Sequence, residues 1–223
     1  MTDVVSRLAS SDYGDVYERL TIPEGSTLIQ IGEAIERSGF NFNQKDFKEL
    51  TTGKEGYLFP DTYNFLPGSS LETIVTNLEK SFENKIGPLR SDIENSGRTL
   101  EDIIVMASLI EKEATGSFEE KKIVSGVLWK RIDEDMLLQV DAPFQYVHGK
   151  VRAADLRIDG PYNTYTRKGL TPTPIGNPGM DSIRAAISPT KSPYYYYLHG
   201  KDGVVRYGQN YNQHLNNINR YLR

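Results

Sequence analysis

Residues 99–141 constrain the fold more than any other stretch: TLEDIIVMASLIEKEATGSFEEKKIVSGVLWKRIDEDMLLQVD. Thr99 is a natural N-cap, and Glu101 and Asp102 suit a first helical turn electrostatically. The spacing predicts a helix over 100–114. At about 100° per residue, Ile103, Ala107, Ile110 and Ala114 cluster within about 60° and mark the most buried line. The apolar arc widens through Met106, Leu109 and Val105, and Glu113 falls inside it. Glu111 lies on the other flank, beside Ile104 and towards Ser108, while Lys112 points away from both. The two glutamates are therefore about 160° apart and cannot enter one cleft. Burial in the apolar arc would raise the pKa of Glu113, as a general acid working near neutral pH requires. A glutamate on such a helix serves equally well as an ion-pair or capping residue.

Around this helix the pattern is mixed, which implies an α+β chain. Strands are expected over 17–22, 136–140, 194–198 and 204–207, and two short ones around the bend at Pro60-Asp61. Helices are expected from Ser26 or Thr27 to about Arg37, from Asn43 through Leu50, over 71–86 and over 118–132. A short one follows, capped by Asp181, and a last one from about Asn210 buries Leu215, Ile218 and Leu222. In the 118–132 helix the expected core is Ile123, Val124, Val127, Leu128 and Ile132. Residues 1–10 read as a helix remnant, and 200–203 as a hairpin turn. The β-α-α unit over the first 52 residues is a shape common to carbohydrate-binding modules and equally to packing subdomains. Residues 159–179, dense in proline and glycine, form a long loop, and loops of that length with tyrosines and asparagine are usually functional.

Several chemistries lack their residues. There are no cysteines, and His148, His199 and His214 have no ligand spacing, so neither a metal site nor a cofactor is expected. No G-x-S-x-G elbow, Walker loop or G-x-G-x-x-G is present. A net charge of −4 without a basic block argues against nucleic acid. No apolar run approaches the roughly 18 residues of a membrane span. What remains is carboxylate acid/base chemistry beside a loop rich in Tyr and Asn, a combination suited to sugars.

LIEKEA at 109–114, the helix ending in WKRI and MLLQVD at 136–141 resemble the YceG-like family of endolytic murein transglycosylases. EGYLFPDTY at 55–63, PYNTY at 161–165, GLTPTPIGNPG at 169–179 and Gln213-His214 extend the resemblance over about 21–223. It implies a partial LysM-like module at 1–52 and a catalytic domain at 53–223. It also implies peptidoglycan glycan strands as substrate and peptidoglycan synthases of the elongation machinery as partners. Membrane anchoring would come from a segment absent from this chain, with this portion on the outer side of the cell membrane. The family's catalytic acid maps to Glu113, with Glu111 as the fallback. Gln139, Asp141, Tyr162, Asn163 and Tyr165 are expected to line the glycan cleft or orient the acid, and Asn177 to shape its Pro-Gly turn. The rival readings are a non-catalytic peptidoglycan-binding domain and a lysozyme-like hydrolase.

Two positions depart from the family pattern. Ala114 replaces the threonine that commonly follows the second glutamate, removing a hydroxyl that could have bonded the acid. Asp141 is followed by Ala142-Pro143 rather than directly by proline, which alters the entry into the next segment.

Overall fold

The computed structural model describes residues 17–149 and 155–222. The expected helix over 1–10 lies outside them.

The chain begins with β1 (Glu18–Thr21), α1 (Leu28–Arg37), α2 (Gln44–Thr51) and β2 (Thr62–Phe65). β1 and β2 pair antiparallel, Glu18 opposite Phe65 and Thr21 opposite Thr62. Thr27 rather than Ser26 caps α1, in a reciprocal capping box with Gln30 that satisfies two orphan N–H donors. Tyr57 and Phe59 form no strand, so the pair expected around Pro60-Asp61 is replaced by pairing with the distant β1. The small core does not close within the first 52 residues. Leu20, Ile31, Ile35 and Phe47 are completed by Leu58, Phe65 and one side of α3 (Leu71–Ile86), through Ile74, Val75 and Leu78.

The far end of α3, Phe82 and Ile86, belongs to a second and larger core. A short α4 (Arg90–Ser96) follows, unforeseen because its seven residues bury Ile93 alone. Next come α5 (Leu100–Glu113), α6 (Phe118–Asp133), α7 (Ala142–His148) and α8 (Met180–Ile187). Every residue of α5 from Ile103 to Ile110 is at most 2% exposed, so the helix is enclosed all round rather than along one stripe. At about 1.5–3 kcal/mol for each fully buried large apolar side chain, α5 is the main stabilising element of the large core. It packs against α8, α6 and α7. α6 buries Val124, Val127, Leu128 and Trp129, whereas Ile123 and Ile132, expected inside, are half-buried. Gly126 lets the segment after α8 approach α6 closely, since a Cβ there would stand 2.1 Å from the Thr190 carbonyl oxygen.

Gly179, not Asp181, is the N-cap of α8. A side chain at 179 would collide with Glu24, and the Gly179 N–H is already bonded to Glu111.

No strand forms over 136–140. Arg131 takes the carbonyls of Leu137 and Leu138, and the Thr164 hydroxyl bonds both the N–H and the carbonyl of Val140. Gln139 adopts a left-handed φ of 55°. A ladder needs those backbone groups free, so side chains have replaced the sheet.

The last layer is the hairpin β3 (Tyr196–His199) and β4 (Val205–Gly208), with α9 (Tyr211–Tyr221) laid on it. α9 buries no residue fully: Leu215 is 37% and Leu222 39% exposed, against expectation. A two-stranded sheet covers little area, and α9 is held largely by aromatic and polar contacts. Among them are Tyr196 on His214 and the Asn217 amide donating to the Tyr207 carbonyl.

Asn177 joins the two cores. Its side chain accepts from the Leu58 N–H at 2.8 Å and donates to the Ser26 carbonyl and to Glu55 at 2.9 and 3.0 Å. Its backbone pairs with Gly25 and Ser26. It does more than shape a turn: it fastens the 23–26 loop to the large core. Asn177→Ala should cost about 2–3 kcal/mol, because the buried Leu58 N–H loses its partner and the Glu55 carboxylate one of its three donors. A thermal melt measures it.

Candidate active site

The two glutamates end α5 on opposite sides, and each meets a different environment. Glu111 accepts from the Lys121 ammonium at 3.0 Å, the Ser182 hydroxyl at 2.6 Å and the Gly179 N–H at 3.0 Å. The side chains of Lys121 and Glu111 are 9% and 10% exposed. This is a junction of α5, α6 and α8 in which both carboxylate oxygens are bonded to protein.

Glu113 faces a cleft of about 320 Å³ bounded by the end of α5, residues 138–141, β3 and α9. Burial raises its pKa, and the nearby Asp141 carboxylate adds to the rise. A hydrogen bond from Tyr197, the charge of His199 and the Ala142 N–H pull in the other direction without cancelling it. The Tyr197 hydroxyl donates to Glu113 Oε2 at 3.0 Å. That hydroxyl comes from β3; residue 114, where a threonine would have offered one, is a fully buried alanine.

Asp141 stands just ahead of α7, and its side chain caps nothing. It accepts instead from the Tyr165 hydroxyl at 2.7 Å, and both residues line the cleft. Burial and the Asp141 carboxylate push the Tyr165 hydroxyl far up, so it stays a donor. Gln139, whose left-handed backbone is a local strain of order 1 kcal/mol, completes this wall. Strained residues cluster at ligand sites, which agrees with its position.

Three of the five side chains expected beside the acid, Gln139, Asp141 and Tyr165, thus share the cleft with Glu113. Tyr162 and Asn163 do not. The Tyr162 hydroxyl pairs with Thr173 at 2.8 Å and its ring lies by Tyr146. Asn163 is 1% exposed, its amide donating to the Leu156 and Ile158 carbonyls and its oxygen accepting from the Tyr165 N–H. It holds the loop that presents Tyr165.

Arg131, Tyr196, Tyr197, His199, Tyr211 and His214 also line the cleft and were not foreseen. Alternation along β3 puts Tyr197 and His199 on one face. Nothing local, however, links them to a glutamate 84 positions earlier. A second hollow, of about 390 Å³, lies between α6 and the segment after α8 and includes neither glutamate. No three His, Asp or Glu side chains among the described residues are placed to share a metal ion. Nor is any described helix long and apolar enough to cross a membrane.

The arrangement offers one carboxyl whose pKa burial raises, a fixed hydroxyl that can stabilise its anion, and a second carboxylate beside it. That set can donate a proton to a leaving oxygen and take one back.

The chain has relatives among known proteins. Residues 1–220 match the model of the YceG-like family. The chain is 33% identical to an endolytic murein transglycosylase of Bacillus subtilis, an alignment covering 98% of this chain and 69% of that protein. It is 30% identical to an endolytic murein transglycosylase of Streptococcus pneumoniae, over 91% of this chain and 44% of that protein. In three dimensions it resembles the crystal structure of a yceG-like protein from Listeria monocytogenes. The TM-score is 0.81 at 30% identity, covering 96% of this chain and 80% of that one.

Proposed function

We propose that this chain, which belongs to the YceG-like family, is a lytic transglycosylase that cuts glycan strands of peptidoglycan from within. The observation that carries the reading is Glu113, with its raised pKa and its Tyr197 donor, facing the cleft beside Asp141. Glu113 gives its proton to the oxygen joining C1 of N-acetylmuramic acid to N-acetylglucosamine, and the C1–O bond breaks. The cationic C1 is favoured by the negative charge of Asp141. The Glu113 carboxylate, held by Tyr197, then accepts the proton of the muramic acid 6-hydroxyl as O6 bonds to C1. The product is a 1,6-anhydro end, and no water is consumed. One residue serves as acid and then as base.

A second reading rests on Asp141. Two carboxylates in one cleft also suit a hydrolase, which would place a water at C1. Mass spectrometry of digested peptidoglycan separates the two. Anhydro ends, lighter by one water, support transglycosylation; full-mass reducing ends would replace it with hydrolysis, and no fragments would leave a binding domain. We also place this portion outside the cell membrane, where peptidoglycan lies, alongside the synthases of the elongation machinery.

The pH profile tests the roles of the neighbours. A general acid works protonated, so kcat/KM falls as pH climbs through the pKa of Glu113. Asp141→Asn removes a charge that raises this pKa, and the falling limb should move to lower pH. Tyr197→Phe removes a donor that lowers it, and the limb should move to higher pH. Tyr197→Phe should also lose about tenfold or more in kcat, as expected for a charge-assisted hydrogen bond to the carboxylate formed in the first step. Limbs that stay put in both variants would detach the profile from Glu113.

A further inference from the structure

Arg131 carries a charge into the cleft that no carboxylate among the described residues pairs with. It is 5% exposed. Its Nε–H donates to the Tyr195 carbonyl at 2.8 Å, and Nη1 to the Leu137 and Leu138 carbonyls at 3.0 and 2.8 Å, with Gln139 Oε1 farther off at 3.4 Å. These bonds fix the guanidinium plane, which also lies 4.9 Å from the centre of the Tyr196 ring. A guanidinium has five N–H donors, and the two on Nη2 have no partner among the described residues. Nη2 is not sealed inside the protein, and Arg131 is part of the cleft wall.

The nearby carboxyls are engaged elsewhere, Asp141 by Tyr165 and Glu113 by Tyr197. No carboxylate among the described residues forms an ion pair with Arg131. Beside it, His214 is held towards its neutral form by burial and by the Arg131 charge, so it adds no second cation. Taking a charge out of water without a counter-ion is costly, and such charges are usually paired or wait for a ligand. A rigidly held guanidinium with both N–H groups of Nη2 free is suited to an anionic oxygen such as that of a carboxylate.

The sugar rings of peptidoglycan are neutral. Its carboxylates hang from O3 of muramic acid: the lactyl acid itself where the peptide has been removed, or the free acids of the stem peptide where it remains. We propose that Arg131 Nη2 binds a carboxylate on this 3-O-lactyl arm, so that the cleft selects muramoyl units bearing a free negative charge. This rests on the glycan reading above and adds to it the group that sets the register of the strand.

Calorimetry on the Glu113→Gln protein, which holds substrate without cutting it, tests the proposal. The probes are muramoyl tetrasaccharides with stem peptides, the same glycans with bare lactyl acids, and both after conversion of every carboxylate to a carboxamide. At least one acid form should bind about ten- to a hundredfold more tightly than its carboxamide, and which one does so identifies the source of the carboxylate. Adding Arg131→Gln should erase the preference, and Arg131→Lys, which keeps the charge without the fork, should retain part of it. Equal binding of acids and carboxamides overturns the proposal, as does a preference that survives Arg131→Gln or no binding of any probe. Should Arg131→Gln unravel the 137–139 turn, the acid-to-carboxamide ratio on Glu113→Gln decides alone. Release of anhydro ends by the unmutated chain is scored separately, so the glycan reading can stand when this proposal falls.

Discussion

Glu113→Gln should reduce the release of anhydro-ended fragments by about 10²–10⁴-fold, the usual contribution of a positioned general acid. The amide keeps the shape of the side chain and an oxygen that can accept from Tyr197, but it has no proton to give at this strength. The variant should also melt higher than the unmutated chain at pH 7. The folded-state pKa of Glu113 lies above its unfolded value, because burial penalises the anion. Between those two values the folded state binds the proton more tightly, so stability falls as pH rises through this window. A glutamine carries no such penalty, and its advantage should vanish below the ordinary carboxylate range. Paired melts at pH 7 and at acid pH, with a turnover assay, check both parts; retained turnover would remove Glu113 from the chemistry.

The largest stability effect is expected two residues earlier. Glu111→Gln should cost about 3–5 kcal/mol, the loss typical of breaking one side of a buried ion pair. It leaves the Lys121 ammonium, 9% exposed, with the Ser182 hydroxyl and only the charge of Glu24, which lies beyond ion-pair distance. For a chain of this size that is a fall in Tm on the order of 10 °C. Turnover of the protein that remains folded should stay near normal, since Glu111 lies outside the cleft. Replacing both partners, as in Glu111→Leu with Lys121→Met, should recover part of the loss, because no charge is then stranded. If Glu111→Gln melts normally but is inactive, the two glutamates have been assigned the wrong way round.

This contrast began as a geometric expectation. Helical spacing alone placed Glu111 and Glu113 on opposite flanks, and the structure has one in a salt-bridged junction and the other facing a cleft. The spacing could not say what would fill each flank. Lys121, Ser182 and Gly179 meet Glu111 from α6 and the start of α8, while Tyr197 reaches Glu113 from a hairpin 84 positions away.

The same division runs through the whole chain. Helices α1, α3, α5 and α6 and the hairpin turn at 200–203 were legible, because caps, periodicity and turn residues act within a few positions. Thr99, Ser70 and Asn43 all cap helices by bonds to N–H groups two or three residues on. The strand expected over 136–140 had the right apolar pattern, yet Arg131 and Thr164 took its backbone groups and bent Gln139 away. α7 is not legible behind Pro143, and nothing local shows that the Asn163 amide is spent on holding its loop. Sequence by itself determined the central helix, its two acids and the angle between them, since these depend on local geometry. Tertiary structure alone decided which acid met an open cleft and what stood around it. That choice depends on closing long loops against entropy, and it is settled by burial and by hydrogen bonds between residues far apart in the chain.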